Sequence, residues 1–94
     1  MVMDNIDSDY DDLIKALTFK GVSPDQYKID LSGENIGGDD QYILRKTEAG
    51  WSVCYEERGK KKREAVFERF LDAGNYLFWE ISNTKSFIAI ANEA

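Results

Sequence analysis

Ninety-four residues make one small domain with a modest core, and 43% hydrophobic with 13% aromatic residues suffice to pack it, which excludes global disorder. A formal net charge of -6 argues against non-specific attraction to DNA or to an anionic membrane. One cysteine and no histidine exclude an intrachain disulfide, His-based triads and imidazole metal sites.

The first twelve residues, MVMDNIDSDYDD, have neither a basic n-region nor an apolar h-region, and no apolar run approaches a membrane span. A cytoplasmic protein with no membrane partner is expected. Ser8 followed by Asp11 fits a capping box. Tyr10, Leu13, Ile14 and Leu17 recur at helical spacing, and Gly21 is placed to end the helix. The spacing predicts a helix over 9–20, with Pro24 in the connector that follows.

Alternation of apolar and polar residues predicts strands over 27–31 and 42–46, separated by the Gly-rich, acidic loop 32–40. A turn at 47–50 leads to a third strand, 51–57, whose Trp51, Val53 and Tyr55 share one face. Arg58-Gly59 supplies a tight reversal. A fourth strand over 61–67 then alternates Lys62, Glu64 and Val66 with Arg63, Ala65 and Phe67.

From Phe70 the period becomes helical, with Phe70, Leu71, Gly74, Leu77, Phe78 and Ile81 in one stripe and Gly74 expected to bring the helix close to the strands. The apolar stretch 87–91 reads as either an extra strand or a final turn. Together these elements predict one α+β domain over 1–94: a four-stranded antiparallel meander flanked by an N-terminal and a C-terminal helix, in the order α-β-β-β-β-α. Trp51, Val53, Tyr55, Phe67, Phe70, Leu77 and Ile81 are the expected core.

Charge divides the chain. Residues 1–40 hold ten acids and three lysines, a net of -7, while residues 41–94 hold nine bases and eight acids, a net of +1. Such asymmetry points to an acidic interaction face. Motifs for chemistry are mostly missing. Asp7, Asp9 and Asp11 have the opening spacing of an EF-hand loop, but Asp12 replaces the required Gly and Thr18 the closing Glu. The stretch GENIGG (33–38) lacks the Gly-Lys-Ser/Thr ending of a phosphate loop. Cys54 reads as a small buried thiol without an activating cation. No catalytic residue, metal or cofactor is expected.

The run Lys60 to Arg63, four consecutive cations near Trp51 and Tyr55, has the ingredients of a single-strand-binding surface. The α-β-β-β-α portion also resembles the double-stranded-RNA-binding module in its order. That module carries its lysines at the start of the second helix, where this chain reads Glu68-Arg69-Phe70-Leu71-Asp72. A small nucleic-acid-binding module using the basic hairpin is therefore the alternative reading, and a solvated, charged strand edge is the plain one.

Trp51-x-Val53-x-Tyr55-x-Glu57-Arg58-Gly59, then Phe67 and the helical Asp72-Ala73-x-x-Tyr76-Leu77, resembles small immunity proteins of bacterial polymorphic toxin systems, such as those of contact-dependent growth inhibition. The resemblance covers the C-terminal third to half of the chain. It implies a non-enzymatic protein that binds and neutralises a cognate toxin domain. Such toxins are often nucleases with basic clefts, to which an acidic partner is steered. Asp11, Asp12, Glu34, Asp39 and Asp40 are then the expected toxin contacts, with Glu56 and Arg58 of the hairpin as further candidates. Capping and solubility are the alternative roles for each of these charges.

Overall fold

The computed structural model of the chain describes residues 6–33 and 40–94. Helix α1 spans Ile6–Phe19 and begins earlier than the sequence suggests, so Ser8 lies inside it rather than capping it. Asp7 and Asp9 occupy the first turn, where negative charge suits the helix dipole. Leu13, Ala16 and Leu17 form its buried stripe. The C-terminus closes as a Schellman motif: Val22 N–H donates to the Leu17 carbonyl, Gly21 N–H to that of Thr18, each at 3.0 Å. Gly21 takes φ +76°, the left-handed conformation this motif requires. A 3-10 turn, Pro24–Gln26, then leads into the sheet.

Strands β1 (Tyr27–Asp30), β2 (Gln41–Thr47), β3 (Gly50–Glu57) and β4 (Lys60–Phe67) form one sheet in sequence order. β2, β3 and β4 are joined by two-residue reversals and pair antiparallel. β1 pairs parallel to β2, with Tyr27 opposite Tyr42 and Asp30 opposite Arg45. The sheet is thus mixed, and the expected all-antiparallel meander is corrected at this one pairing. A period of two identifies a strand but carries no direction. A two-residue turn forces reversal, whereas the connection over 31–40 is long enough to return the chain to the starting end of β1.

Helix α2 (Phe70–Ser82) crosses β2, β3 and β4. Trp51 meets Phe70 edge to face with ring centroids 5.1 Å apart, which identifies the Trp51–Val53–Tyr55 side as the inner face of the sheet. Leu44, opposite Val53, joins that face. Of the expected core, Trp51, Val53, Phe70 and Leu77 are buried, while Tyr55, Phe67 and Ile81 are half-buried. Principal extents of 35 × 35 × 19 Å correspond to two layers, one of strands and one of helices.

Residues 87–91 belong to a third helix, α3 (Phe87–Glu93), neither strand nor single turn. Ser86 caps it, and its first N–H, from Phe87, donates to Asn75 Oδ1 of α2 at 3.1 Å. α3 packs on α1 and α2. Gly74 serves this contact rather than one with the strands: a Cβ there would lie 2.9 Å from Phe87 Cε2 and 3.5 Å from Leu13 Cδ2. Gly74→Ala would gain about 1 kcal/mol of helix propensity but must displace a fully buried ring, at about 1–3 kcal/mol. The expected result is a lower melting temperature than wild type. A higher one would show that Phe87 can move aside.

Candidate functional site

Tyr42 and Tyr55 are cross-strand partners on the inner face of the sheet, their rings 5.0 Å apart and inclined at 68°. Both are half-buried. The last turn of α2 supplies Glu80 and Ile81, the 3-10 turn supplies Asp25 and Gln26, and Asp40 precedes β2; these five residues and the two tyrosines line a cleft of about 530 Å³. Gln41 helps to hold the turn in place by donating from Nε2 to the Asp25 carbonyl at 3.3 Å. All the charged residues of this lining are carboxylates: Asp25, Asp40 and Glu80.

Across the same tyrosine pair lies a smaller recess of about 290 Å³, lined by Glu57, Lys62 and Arg63 as well as Tyr42 and Tyr55. A β-bulge places its cations. Val53 and Tyr55 of β3 oppose Ala65 and Lys62 of β4, so Arg63 and Glu64 together face Cys54. Arg63 takes φ +56°. The extra residue breaks the expected alternation, bringing Lys62 to the inner side with Ala65 and Phe67, while Lys61, Glu64 and Val66 belong to the outer face. Lys62 Nζ meets Glu57 at 2.7 Å, and this bond raises the lysine above its ordinary value.

Glu80 extends its influence beyond the cleft. It accepts a hydrogen bond from the Tyr76 hydroxyl, which with burial and the charge of Glu80 raises that phenol above 10.0. The Tyr42 hydroxyl is raised by burial first and by Glu80 second.

The outer face of the sheet holds a different polar group. Arg45 lies between two buried carboxylates, Asp30 at 3.9 Å and Glu56 at 3.7 Å, drawn from the strands on either side. Asp30 Oδ1 also accepts from the N–H and hydroxyl of Ser32 and from Gly33 N–H, which closes β1. Ser52 donates to Glu64 at 2.7 Å, and Lys61 stands 3.7 Å from the same Glu64 oxygen. Burial, then the nearby Glu56, pushes the Cys54 thiol up, which keeps it protonated and unreactive.

Of the expected contact residues, Asp40 alone reaches the cleft. Asp11 and Asp12 sit on α1, exposed and half-buried respectively, and do not line it. Glu34 and Asp39 lie outside the described residues. Glu56 is only 4% exposed and engaged with Arg45, so it has little surface to offer a partner. Arg58 is exposed at the β3–β4 turn with φ +52°. Trp51, the aromatic paired in the sequence with the basic run, is 4% exposed and packed on Phe70, so it presents no stacking platform. Sequence reasoning missed Asp25, Tyr42 and Glu80. The available signal was the turn at 47–50, which sets Tyr42 opposite Tyr55.

Among the described residues no cluster of three metal-ligating side chains forms, and no helix is long and apolar enough to cross a membrane. Comparison with protein-family models, with curated proteins and with solved structures finds no match to this chain.

Two measurements test this electrostatic picture. Arg45→Ala leaves two buried carboxylates without their cation and is expected to cost about 3–5 kcal/mol in denaturant unfolding; a near-native midpoint would show that water serves the pair as well. The fold favours the neutral phenols of Tyr42 and Tyr76, so their contribution is intact below pH 10 and lost as pH rises through the raised values. The melting temperature should therefore fall above pH 10, and fall less in Tyr76→Phe. An identical alkaline decline in the two proteins would remove Tyr76 from the account.

Proposed function

We propose that this chain is a non-enzymatic, protein-binding domain: a cytoplasmic immunity protein that neutralises a bacterial toxin domain, a nuclease with a basic cleft, without a cofactor. The observation that carries the reading is the cleft beside Tyr42 and Tyr55, where Asp25, Asp40 and Glu80 converge on an aromatic pair with no cation in the lining described. Its volume lies within the range of sites that enclose a ligand group. The net of -7 over residues 1–40 would draw a basic partner towards the molecule, and the cleft supplies a place for that partner to be held.

The basic run of β4 supports the same reading by what it already contacts. Lys61 and Lys62 each meet a glutamate of the sheet, so part of its charge is answered within the fold. The test is to mix the purified chain with the toxin domain encoded beside its gene. A complex is expected that abolishes nuclease activity and associates more slowly as salt is raised. Failure to form a complex, or an association rate indifferent to salt, would remove the basis of the proposal.

A further inference from the structure

We infer that the cleft beside Tyr42 and Tyr55 is a receptor for a single arginine side chain of the protein partner, an assignment that rests on the reading of this chain as a binder of basic proteins. Three features of the cleft converge on a planar cation. Tyr42 and Tyr55 stand edge to face, so one ring can turn its negative π-face towards the space while the other supports it from the side. Carboxylates enter from three separate places: Asp25 from the 3-10 turn, Asp40 from the residue before β2 and Glu80 from α2.

The third feature is the end of α2. Glu80 and Ile81 belong to its last turn, which carries the partial negative charge of a helix C-terminus and has no basic residue to offset it. A cation supplied from outside would complete that end. Arginine fits better than lysine on chemical grounds. Its guanidinium is planar, stacks on aromatic rings, donates to carboxylates in pairs and is more weakly hydrated than an ammonium.

The neighbouring recess makes the selection sharper. Glu57, Lys62 and Arg63 line the recess that shares these tyrosines, and since Glu57 answers Lys62 the excess charge there is that of Arg63. An anionic side chain is therefore favoured there and a cationic one on the Asp25–Asp40–Glu80 side. A partner segment crossing the tyrosine pair would therefore place its arginine in the larger cleft. An acidic neighbour of that arginine would fall in the smaller one.

The experiment uses the full chain and three blocked tripeptides, acetyl-Gly-Arg-Gly-amide and its lysine and citrulline counterparts, followed by NMR of the tyrosine ring signals. The arginine peptide is expected to shift the Tyr42 and Tyr55 rings, to bind more tightly than the lysine peptide, and to outcompete the uncharged citrulline peptide entirely. Asp40→Asn and Glu80→Gln are suitable variants. Asparagine tolerates the φ of +55° at position 40, and glutamine can still accept from Tyr76. Each should weaken the arginine peptide by up to about fivefold at low salt, with the folded spectrum retained. Asp11→Asn on α1 should leave it unchanged.

Equal binding of the citrulline peptide, shifts confined to other residues, or variants that bind as wild type would overturn the assignment. If the chain binds its toxin while the arginine peptide leaves both tyrosines unmoved, the arginine receptor falls and the protein-binding reading stands. If the peptide occupies the cleft in the expected order and no toxin is bound, the arginine site stands and the immunity reading falls.

Discussion

Helix α2 has to be apolar on two sides, and the rest of the fold follows from how it meets that demand. One side presents Phe70 and its neighbours to the sheet, where Trp51 receives the ring. The other presents Gly74, whose missing side chain is the space that Phe87 of α3 and Leu13 of α1 approach. Phe70, Ala73, Gly74, Leu77 and Phe78 are all buried along this helix. A helix with so broad an apolar surface cannot rest on a sheet alone, because its outer flank would remain wet. α1 and α3 supply the cover, and the core is continuous from Leu44 to Ala91 as a result.

Where the fold was legible in the sequence, the signals were local and steric. Gly21 ends α1 because the backbone needs φ > 0 there, and Arg58-Gly59 reverses the chain because two successive positive φ angles form the turn that suits twisted strands. The direction of β1 was not legible, since it depends on the course of a connection and not on side-chain alternation. α3 was obscured by its shortness: a seven-residue apolar segment has nearly the same appearance as helix or strand. What decides for the helix is its surroundings, the Ser86 cap and the Asn75 acceptor on α2. The bulge at Arg63 was invisible for another reason. The preference for positive φ falls on Gly, Asn and Asp, and this position holds none of them.

The candidate site was legible only in its sign. An excess of acid in the first forty residues pointed to an acidic face, and Asp40 was among the acids singled out. Its partners in the cleft come from positions 25, 26, 42, 55, 80 and 81, which share no motif and meet only because β1 runs parallel to β2 and α2 ends above the tyrosines. Tyr55 was assigned to the core by its alternation with Val53. The same alternation places a residue on the inner face without saying whether α2 reaches far enough to cover it. Here the helix stops at Ser82 and leaves Tyr55 half-buried.

The two faces of the sheet treat charge in opposite ways, and this bears on what each can do. On the outer face Arg45 is enclosed by Asp30 and Glu56, carboxylates with side chains only 2% and 6% exposed. Such a group holds three strands in register, because slipping any one of them by a residue would carry its charged side chain to the apolar face. One guanidinium there faces two carboxylates, and all three side chains are largely shielded from solvent. On the inner side, at the end of α2, Asp25, Asp40 and Glu80 border a cleft open to solvent with no cation in its described lining. Three carboxylates on one open cleft make its local potential negative, which favours the entry of a cation. The outer cluster is therefore suited to fixing the sheet, and the inner one to drawing in a charge that the chain itself does not place there.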